Sequence, residues 1–383
     1  MKIDLHGGFG EKGRASVGVR AAGKRILLDA GIKVGAADHG YHPAIGDDDI
    51  AALDALFVSH AHEDHIGGLP WLMARGFRGR IFMTQETMTD GPATLAAYAN
   101  AEDLARAPFP RQDIELFAPG DEIALGDLRI SSGRSGHVVG GVWFSVADGE
   151  KNFVYSADVT PESGVFAMDA LPACDLLAVD ASYGGDPVSG AERAEAIARW
   201  ILDHPGGCLL PTPLHGRSLE LIAAISEPIA ICAGMRDALE AQIAASHALK
   251  PDVARMLSDR LTRADDWRDG DPLPRRPLLC DDGMGQAGPS AALIPLADAQ
   301  SYPVLLTGHL PNGSPAHRLR ERGRADWIRM PTHPTLAGLI DIWRDAGEPT
   351  TLGHSCEADD LNELSKSLPA LRPSYRTGQS LTV

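Results

Sequence analysis

Short apolar runs, each closed by glycine, proline or a charged residue, alternate along this chain with stretches whose apolar positions recur at helical spacing. The first three runs, at residues 3–5, 15–19 and 25–29, are linked by glycine-rich turns and read as strands. The third ends on the carboxylate of Asp29. Residues 55–58 form another buried strand, followed by a charged turn and a helical pattern over 69–75. A strand at 80–83 precedes a helix over 85–99, with a restart expected at Gly91-Pro92. Strands follow at 128–130, 152–159 and 175–180, and then a break at Asp186-Pro187-Val188-Ser189-Gly190. Beyond it come an amphipathic helix over 191–203, a strand at 207–213 and a helix opening at Gly216. Two strand-histidine-helix units close the chain: one ends at His333 before a helix over 336–345, the other at His354 before a helix over 357–368. This alternation predicts an α/β layered fold.

Composition narrows the picture. A chain of 383 residues that is 44% hydrophobic can build one large domain or two joined ones. No window has the apolar length of a membrane span, and Met1-Lys2-Ile3-Asp4 reads as the start of a strand rather than a signal peptide, so a cytoplasmic protein is expected. Cys174, Cys208, Cys232, Cys280 and Cys356 are widely spaced without a Cys-x-x-Cys pair and read as reduced thiols. The formal charge of −17 repels a polyanion on average. A nucleic-acid role therefore requires a local basic groove, or metal ions, to overcome it.

The chemistry concentrates in Ser59-His60-Ala61-His62-Glu63-Asp64-His65-Ile66-Gly67-Gly68. Three histidines and two carboxylates within six residues, between a buried strand and an apolar helix, supply the nitrogen and oxygen donors that suit zinc. A solvated polar loop is the competing reading, but such a loop has no need of apolar runs on both sides. Other candidates are weaker by themselves. His137 in Gly136-His137-Val138 reads equally as a turn residue, and Asp158 and Asp180 as strand-end carboxylates. His333 and His354 fit strand-end core positions. At Gly216-Arg217-Ser218 a helix start with Arg217 and Ser218 fits a phosphate-binding site or a plain helix cap. The densest basic run, residues 317–324, fits a solvated face or a groove for a polymer backbone.

His-x-His-x-Asp-His followed by Gly-Gly resembles the signature of the metallo-β-lactamase superfamily. Gly136-His137-Val138 and Ser156-Ala157-Asp158 resemble its later metal motifs, with Ala157 where the family carries glycine. Asp180-Ala181-Ser182-Tyr183-Gly184, the Gly216-Arg217 helix and the strands ending at His333 and His354 resemble motifs of the β-CASP group. Val304 to Ser314 resembles a further β-CASP stretch, with His309 in place of tyrosine. Thr332 and Ser355-Cys356 are departures beside the two late histidines.

The resemblance implies an αβ/βα sandwich from residues 1–185 and 309–383, with an inserted α/β β-CASP-like domain at 186–308. It implies two zinc ions, with manganese an alternative: one held by His60, His62 and His137, the other by Asp64, His65 and His354, and Asp158 bridging. Asp64, His333 and Asp180 are the implied catalytic residues, His333 as general acid and Asp180 as a neighbour that fixes the orientation of His333 or of His354. Arg217, Ser218, Ser182, His309 and Ser314 are the implied substrate contacts. The implied activity is that of a nuclease like ribonuclease J or the endonuclease of pre-messenger RNA. RNA against single-stranded DNA, endo- against exonucleolytic cutting, and a homo-oligomer against a monomer all stay open. The alternatives are a dinuclear hydrolase of a small phosphodiester, ester or lactam, and a non-catalytic binding module.

Overall fold

The computed structural model describes residues 1–383 except the side chain of Asp38. Two sheets stack face to face. The first is seven-stranded: Ser380–Thr382 pairs with Lys2–Gly7, followed in spatial order by Ser16–Ala21, Lys24–Leu28, Ala55–Phe57, Arg80–Met83 and Ile114–Leu116. The second is six-stranded, in the order Thr350–His354, Leu176–Asp180, Asn152–Tyr155, Val142–Ala147, Leu128–Arg134 and Glu122–Leu125. Between them lies a core built from Ile3, Leu5, Val17, Phe57, Phe144, Tyr155 and Leu352, among others. On the outer face of the first sheet, Ile50, Leu69, Leu72 and Leu95 cover Leu56 and Val58. On the outer face of the second, Leu339, Ile342, Leu361 and Leu364 cover Leu177 and Val179. These are the four layers of an αβ/βα sandwich, as expected from the sequence.

Strands buried on both faces explain the near-continuous apolar runs seen in the sequence. Leu176–Asp180 is buried throughout, pairs in parallel with Asn152–Tyr155 on one side and with Thr350–His354 on the other, and sets Asp180 opposite His354. Lys24–Leu28, Ala55–Phe57 and Arg80–Met83 are likewise parallel. Parallel pairing brings the carboxyl ends of these strands to one edge, where the crevice of an open α/β sheet lies. The helix Gln85–Tyr98 runs unbroken through Pro92, without the expected restart.

A separate core carries the inserted segment. Its parallel sheet runs in the order Cys208–Pro211, Pro277–Cys280, Ala230–Cys232 and Asp265–Trp267. A further bridge joins Leu209 to Val304. Val304, Leu305, Leu306, Ala316, Leu319 and Met330 pack in this second core. The sequence reading ended the insertion at 308; on these contacts we propose that the chain returns to the sandwich at about residue 331. Among the described residues no helix is long and apolar enough to cross a membrane.

Candidate metal centre

The expected ligands lie at or shortly after the ends of strands. The turn after Ala55–Phe57 delivers His60 and His62, and the short helix Glu63–Ile66 that follows delivers Asp64 and His65. The turn after Asn152–Tyr155 delivers Asp158, and His354 ends Thr350–His354. Local strain marks these ends. Ala157 has φ +47°, where the family's glycine would sit freely and an alanine costs about 1–2 kcal/mol. Asp29 and Ser355 are also left-handed, at φ +60° and +57°.

His60, His62, His137 and Asp158 present donor atoms that all lie within 4.8 Å of one another. His60 Nε2 is 3.0 Å from His62 Nδ1, and His137 Nε2 is 3.2 Å from the same atom. Ligands on a tetrahedral zinc, with bonds of about 2.0–2.1 Å, stand about 3.3 Å apart, so this spacing is that of a ligand set. The outer nitrogens fix the tautomers. His137 Nδ1–H donates to the Thr332 carbonyl at 2.6 Å, leaving a lone pair on Nε2 to face the centre. His60 Nδ1 is 3.0 Å from Ser59 Oγ, leaving its Nε2 inward in the same way. Burial and the neighbouring imidazoles hold His60 and His62 well below the usual histidine range, and burial takes His137 down to about 4. Neutral imidazole is the form that binds metal.

Asp64, His65 and Asp158 form a second group of donor atoms within 4.8 Å of one another. His65 Nδ1–H donates to Asp29 Oδ2 at 2.7 Å, while its buried Nε2 has no hydrogen-bond partner. Asp158 faces both groups: Oδ1 lies 3.2 Å from His65 Nε2, and Oδ2 lies 3.9 Å from His60 Nε2 and 3.7 Å from His137 Nε2. Asp158 Oδ1 is itself buried without a hydrogen-bond partner. Orphaned polar atoms of this kind cost about 1–3 kcal/mol each unless something binds them. The donor set, its spacing and these two orphans fit divalent metal ions. Burial raises Asp64 to about 7, with Asp158 and Glu63 adding to the rise and His65 opposing it. Burial acts the same way on Asp158 but is outweighed by His65 and His333, which hold it well below the carboxylate range.

His354 is buried at the same edge but stands outside both groups. Its Nε2 is 3.4 Å from Ser156 Oγ and its Nδ1 is 3.1 Å from Ser355 Oγ. Two local hydroxyls thus hold the ring of the expected seventh ligand at the edge of the cluster.

His333 and Asp180 form the outer pair. His333 Nδ1 is 2.8 Å from Asp180 Oδ2. Asp180 is fully buried and fixed by the Ser182 hydroxyl at 2.6 Å, the Ser182 amide at 3.0 Å and the Val159 amide at 3.2 Å. Burial lowers the His333 pKa, but Asp180 and Asp158 outweigh it and raise it to about 10. Cations bound beside it would oppose that rise.

The expected substrate contacts divide. Arg217 reaches the centre, with Nη2 3.2 Å from Thr332 Oγ1. His309 is exposed at the same mouth, and burial of its ring together with Lys12, Arg329 and Arg217 lowers its pKa to about 4. The three serines make local hydrogen bonds: Ser182 Oγ donates to Asp180, Ser218 Oγ donates to the Leu214 carbonyl at 2.7 Å, and Ser314 Oγ accepts from the His317 amide as the cap of Pro315–Glu321. In the basic run Arg322 and Arg324 share the carboxylate of Asp298 and Arg320 lies over Trp327. Lys12, Asp29, Tyr183, Arg329 and the Thr332 carbonyl belong to the site although no site role was read for them in the sequence. For Asp29 the signal was present, a carboxylate ending an apolar strand as Asp158 does.

Comparisons with known proteins agree with this geometry. The family described as "Beta-lactamase superfamily domain" matches residues 24–211. Transcription termination factor FttA of Cenarchaeum symbiosum is 25% identical, covering 98% of this chain and 65% of its own. A ribonuclease of Thermus thermophilus is 33% identical over 53% of this chain and 49% of its own. Cleavage and polyadenylation specificity factor 73 of Drosophila melanogaster is 28% identical over 59% and 36%. The chain thus spans less than two thirds of the length of these curated relatives. A crystal structure of a protein of unknown function from Enterococcus faecalis shares the fold with a TM-score of 0.62 at 13% identity, covering 100% of this chain and 99% of that one. With its histidine motif, its sandwich and these relatives, the chain belongs to the metallo-β-lactamase superfamily and to its β-CASP branch.

Proposed function

We propose that this protein is a metal-dependent hydrolase of phosphodiester bonds, with RNA or single-stranded DNA as substrate and zinc as the resident ion, manganese being the alternative. The observation that carries this reading is Asp158, whose two oxygens face two separate groups of donor atoms. His60, His62 and His137 would hold one ion and Asp64 and His65 the other, with Asp158 shared and His354 the proposed further ligand of the second. Such a pair of ions, when bound, supplies a water activated near neutral pH and offsets the charge that develops on phosphorus.

The chain's own groups do the rest. His333, fixed by Asp180, is placed to hand a proton to the departing alcohol. Arg217, Lys12 and Arg329 gather positive charge at the mouth beside a neutral His309 despite the overall −17, and a phosphate group entering there meets that local field. The inserted domain would act as the lid of this cleft. Its named relatives include a ribonuclease and a polyadenylation cleavage factor, which supports RNA as substrate. Thiols read as reduced fit the cytoplasm, which we propose as its compartment.

A small phosphodiester is the second reading, favoured by carboxylates on the opposite wall. His215 Nδ1 is 3.5 Å from Asp90 Oδ2 and lies within electrostatic reach of His62 and Asp281, while Glu63 and Asp282 lie within electrostatic reach of Tyr98. Incubating the zinc-loaded protein with end-labelled single-stranded RNA, single-stranded DNA and bis-p-nitrophenyl phosphate separates the two. Cleavage of a polymer supports the nuclease. Turnover of the small ester alone moves the assignment to small substrates, and inertness toward all three removes the hydrolase.

A further inference from the structure

We propose that Thr332 is a positioning residue whose hydroxyl seats Arg217 of the inserted domain for binding a phosphate group. This rests on the hydrolase reading above. Thr332 is buried, and each of its polar groups goes to a different part of the site. Its carbonyl accepts from the metal-facing His137 at 2.6 Å and from the Thr160 hydroxyl at 2.6 Å. Its amide donates to the Tyr183 hydroxyl at 3.1 Å. Its own hydroxyl accepts from Arg217 Nη2 at 3.2 Å and lies 3.3 Å from the Tyr183 hydroxyl. The backbone of one residue thus serves the metal ligands, and its side chain serves the inserted domain.

Arg217 needs such a seat. It opens the helix Arg217–Ala224, its Nε is buried without a hydrogen-bond partner, and burial lowers its pKa. A guanidinium so poorly solvated has donors to spare for an anion, and its planar fork suits phosphate. Space for it is provided by Gly308, where a Cβ would come 2.3 Å from Arg217 Nη1. Tyr183 is braced in turn by Arg329, 4.4 Å above its ring, and by the edge of His333 at 5.0 Å. A hydroxyl is required at position 332 to accept from Arg217. Valine keeps the shape and the carbonyl but cannot accept that bond, so the phosphate side and the metal side become separable.

The test compares the zinc-loaded wild type with Thr332→Val, Thr332→Ser, Arg217→Gln and the Thr332→Val/Arg217→Gln pair. Affinity for inorganic phosphate, KM and kcat on bis-p-nitrophenyl phosphate, and zinc affinity by chelator competition are measured. Thr332→Val should weaken phosphate binding and raise KM about tenfold, the scale of one charge-assisted hydrogen bond. The effect should fall on KM more than on kcat, with zinc affinity held within about twofold. Thr332→Ser should recover most of the loss, and the double variant should be no worse than Arg217→Gln. Unchanged phosphate affinity in Thr332→Val, failure of serine to rescue, or parallel loss of zinc overturns the proposal. If Thr332→Val does not fold, Gly308→Ala displaces the guanidinium from the other side, and wild-type phosphate affinity there is equally fatal. A wild type that cleaves no phosphodiester defeats the hydrolase reading alone, since phosphate binding still decides the role of Thr332.

Discussion

His65 and Asp29 are joined by a 2.7 Å hydrogen bond between Nδ1–H and a carboxylate oxygen, and neither side chain is exposed. Asp29 also accepts from the Ser59 amide and hydroxyl at 2.7 Å and from the Tyr155 hydroxyl at 2.9 Å. It therefore sets the angle at which His65 presents Nε2 to Asp158 and Asp64. Asp29→Asn should lower affinity for one of two metal ions by about 10–100-fold while the other is retained. Stepwise metal titration followed by mass spectrometry reads this directly, and two unaltered affinities would show that Asp29 only supports the strand.

Asp158 is the shared carboxylate, so its loss should reach both ions. Asp158→Asn should lower metal content toward zero, whereas His137→Ala should spare one ion. His354→Ala decides whether the ring beside Ser156 is a ligand. Weakened binding of the second ion places it in the set, and unchanged binding closes that set without it. Metal analysis after dialysis against a weak chelator is sufficient for all three.

His333→Ala should reduce turnover by about 10²–10⁴-fold, the usual contribution of a positioned proton donor, while leaving metal content intact. Asp180→Asn should give a smaller loss, because Asp180 acts on the leaving group only through His333. Equal turnover in wild type and His333→Ala on a substrate with a poor leaving group would assign proton transfer to another group.

Glu220 supplies a pH-dependent term away from the metal ligands. It is buried, hydrogen-bonded to the Ser163 hydroxyl and, at 3.2 Å, to the Gly164 amide, and ties the inserted helix to the sandwich. Burial raises its pKa above the ordinary 4.5, against those hydrogen bonds. The folded state therefore holds a proton that the unfolded chain has already released. Stability from this group is full below the ordinary value and is lost as pH rises through the higher folded one. Glu220→Gln should flatten the fall in melting temperature across that window, as read by thermal unfolding at successive pH values.

The histidine window at 60–65 was legible because its donors are neighbours in sequence and their spacing survives folding. Much of the sandwich was legible for a related reason: strands buried on both faces must be apolar, and the turns that join them must not. Sequence also placed Asp180 beside His333 as one of two options, and the 2.8 Å contact chose between them. Serines were the least legible residues. Ser182, Ser218 and Ser314 were read as substrate contacts from their motif positions, and in the fold each hydroxyl bonds a neighbour within four residues. A hydroxyl takes whichever partner folding brings nearest, and one-dimensional order does not reveal which.

What the chain determined alone was the donor window at 60–65 and the alternation of strands and helices around it, since both follow from local residue type and periodicity; His137, Asp158 and His354 entered the set only through the family resemblance. What tertiary structure decided was direction. Asp29, 36 positions from His65, fixes that ring's tautomer, and the carbonyl of Thr332, 195 positions from His137, fixes another. Those partners meet only when segments far apart in the sequence are brought to one edge of the sandwich. The reason is physical: a hydrogen bond is settled within tenths of an ångström, and no sequence spacing encodes that across such separations.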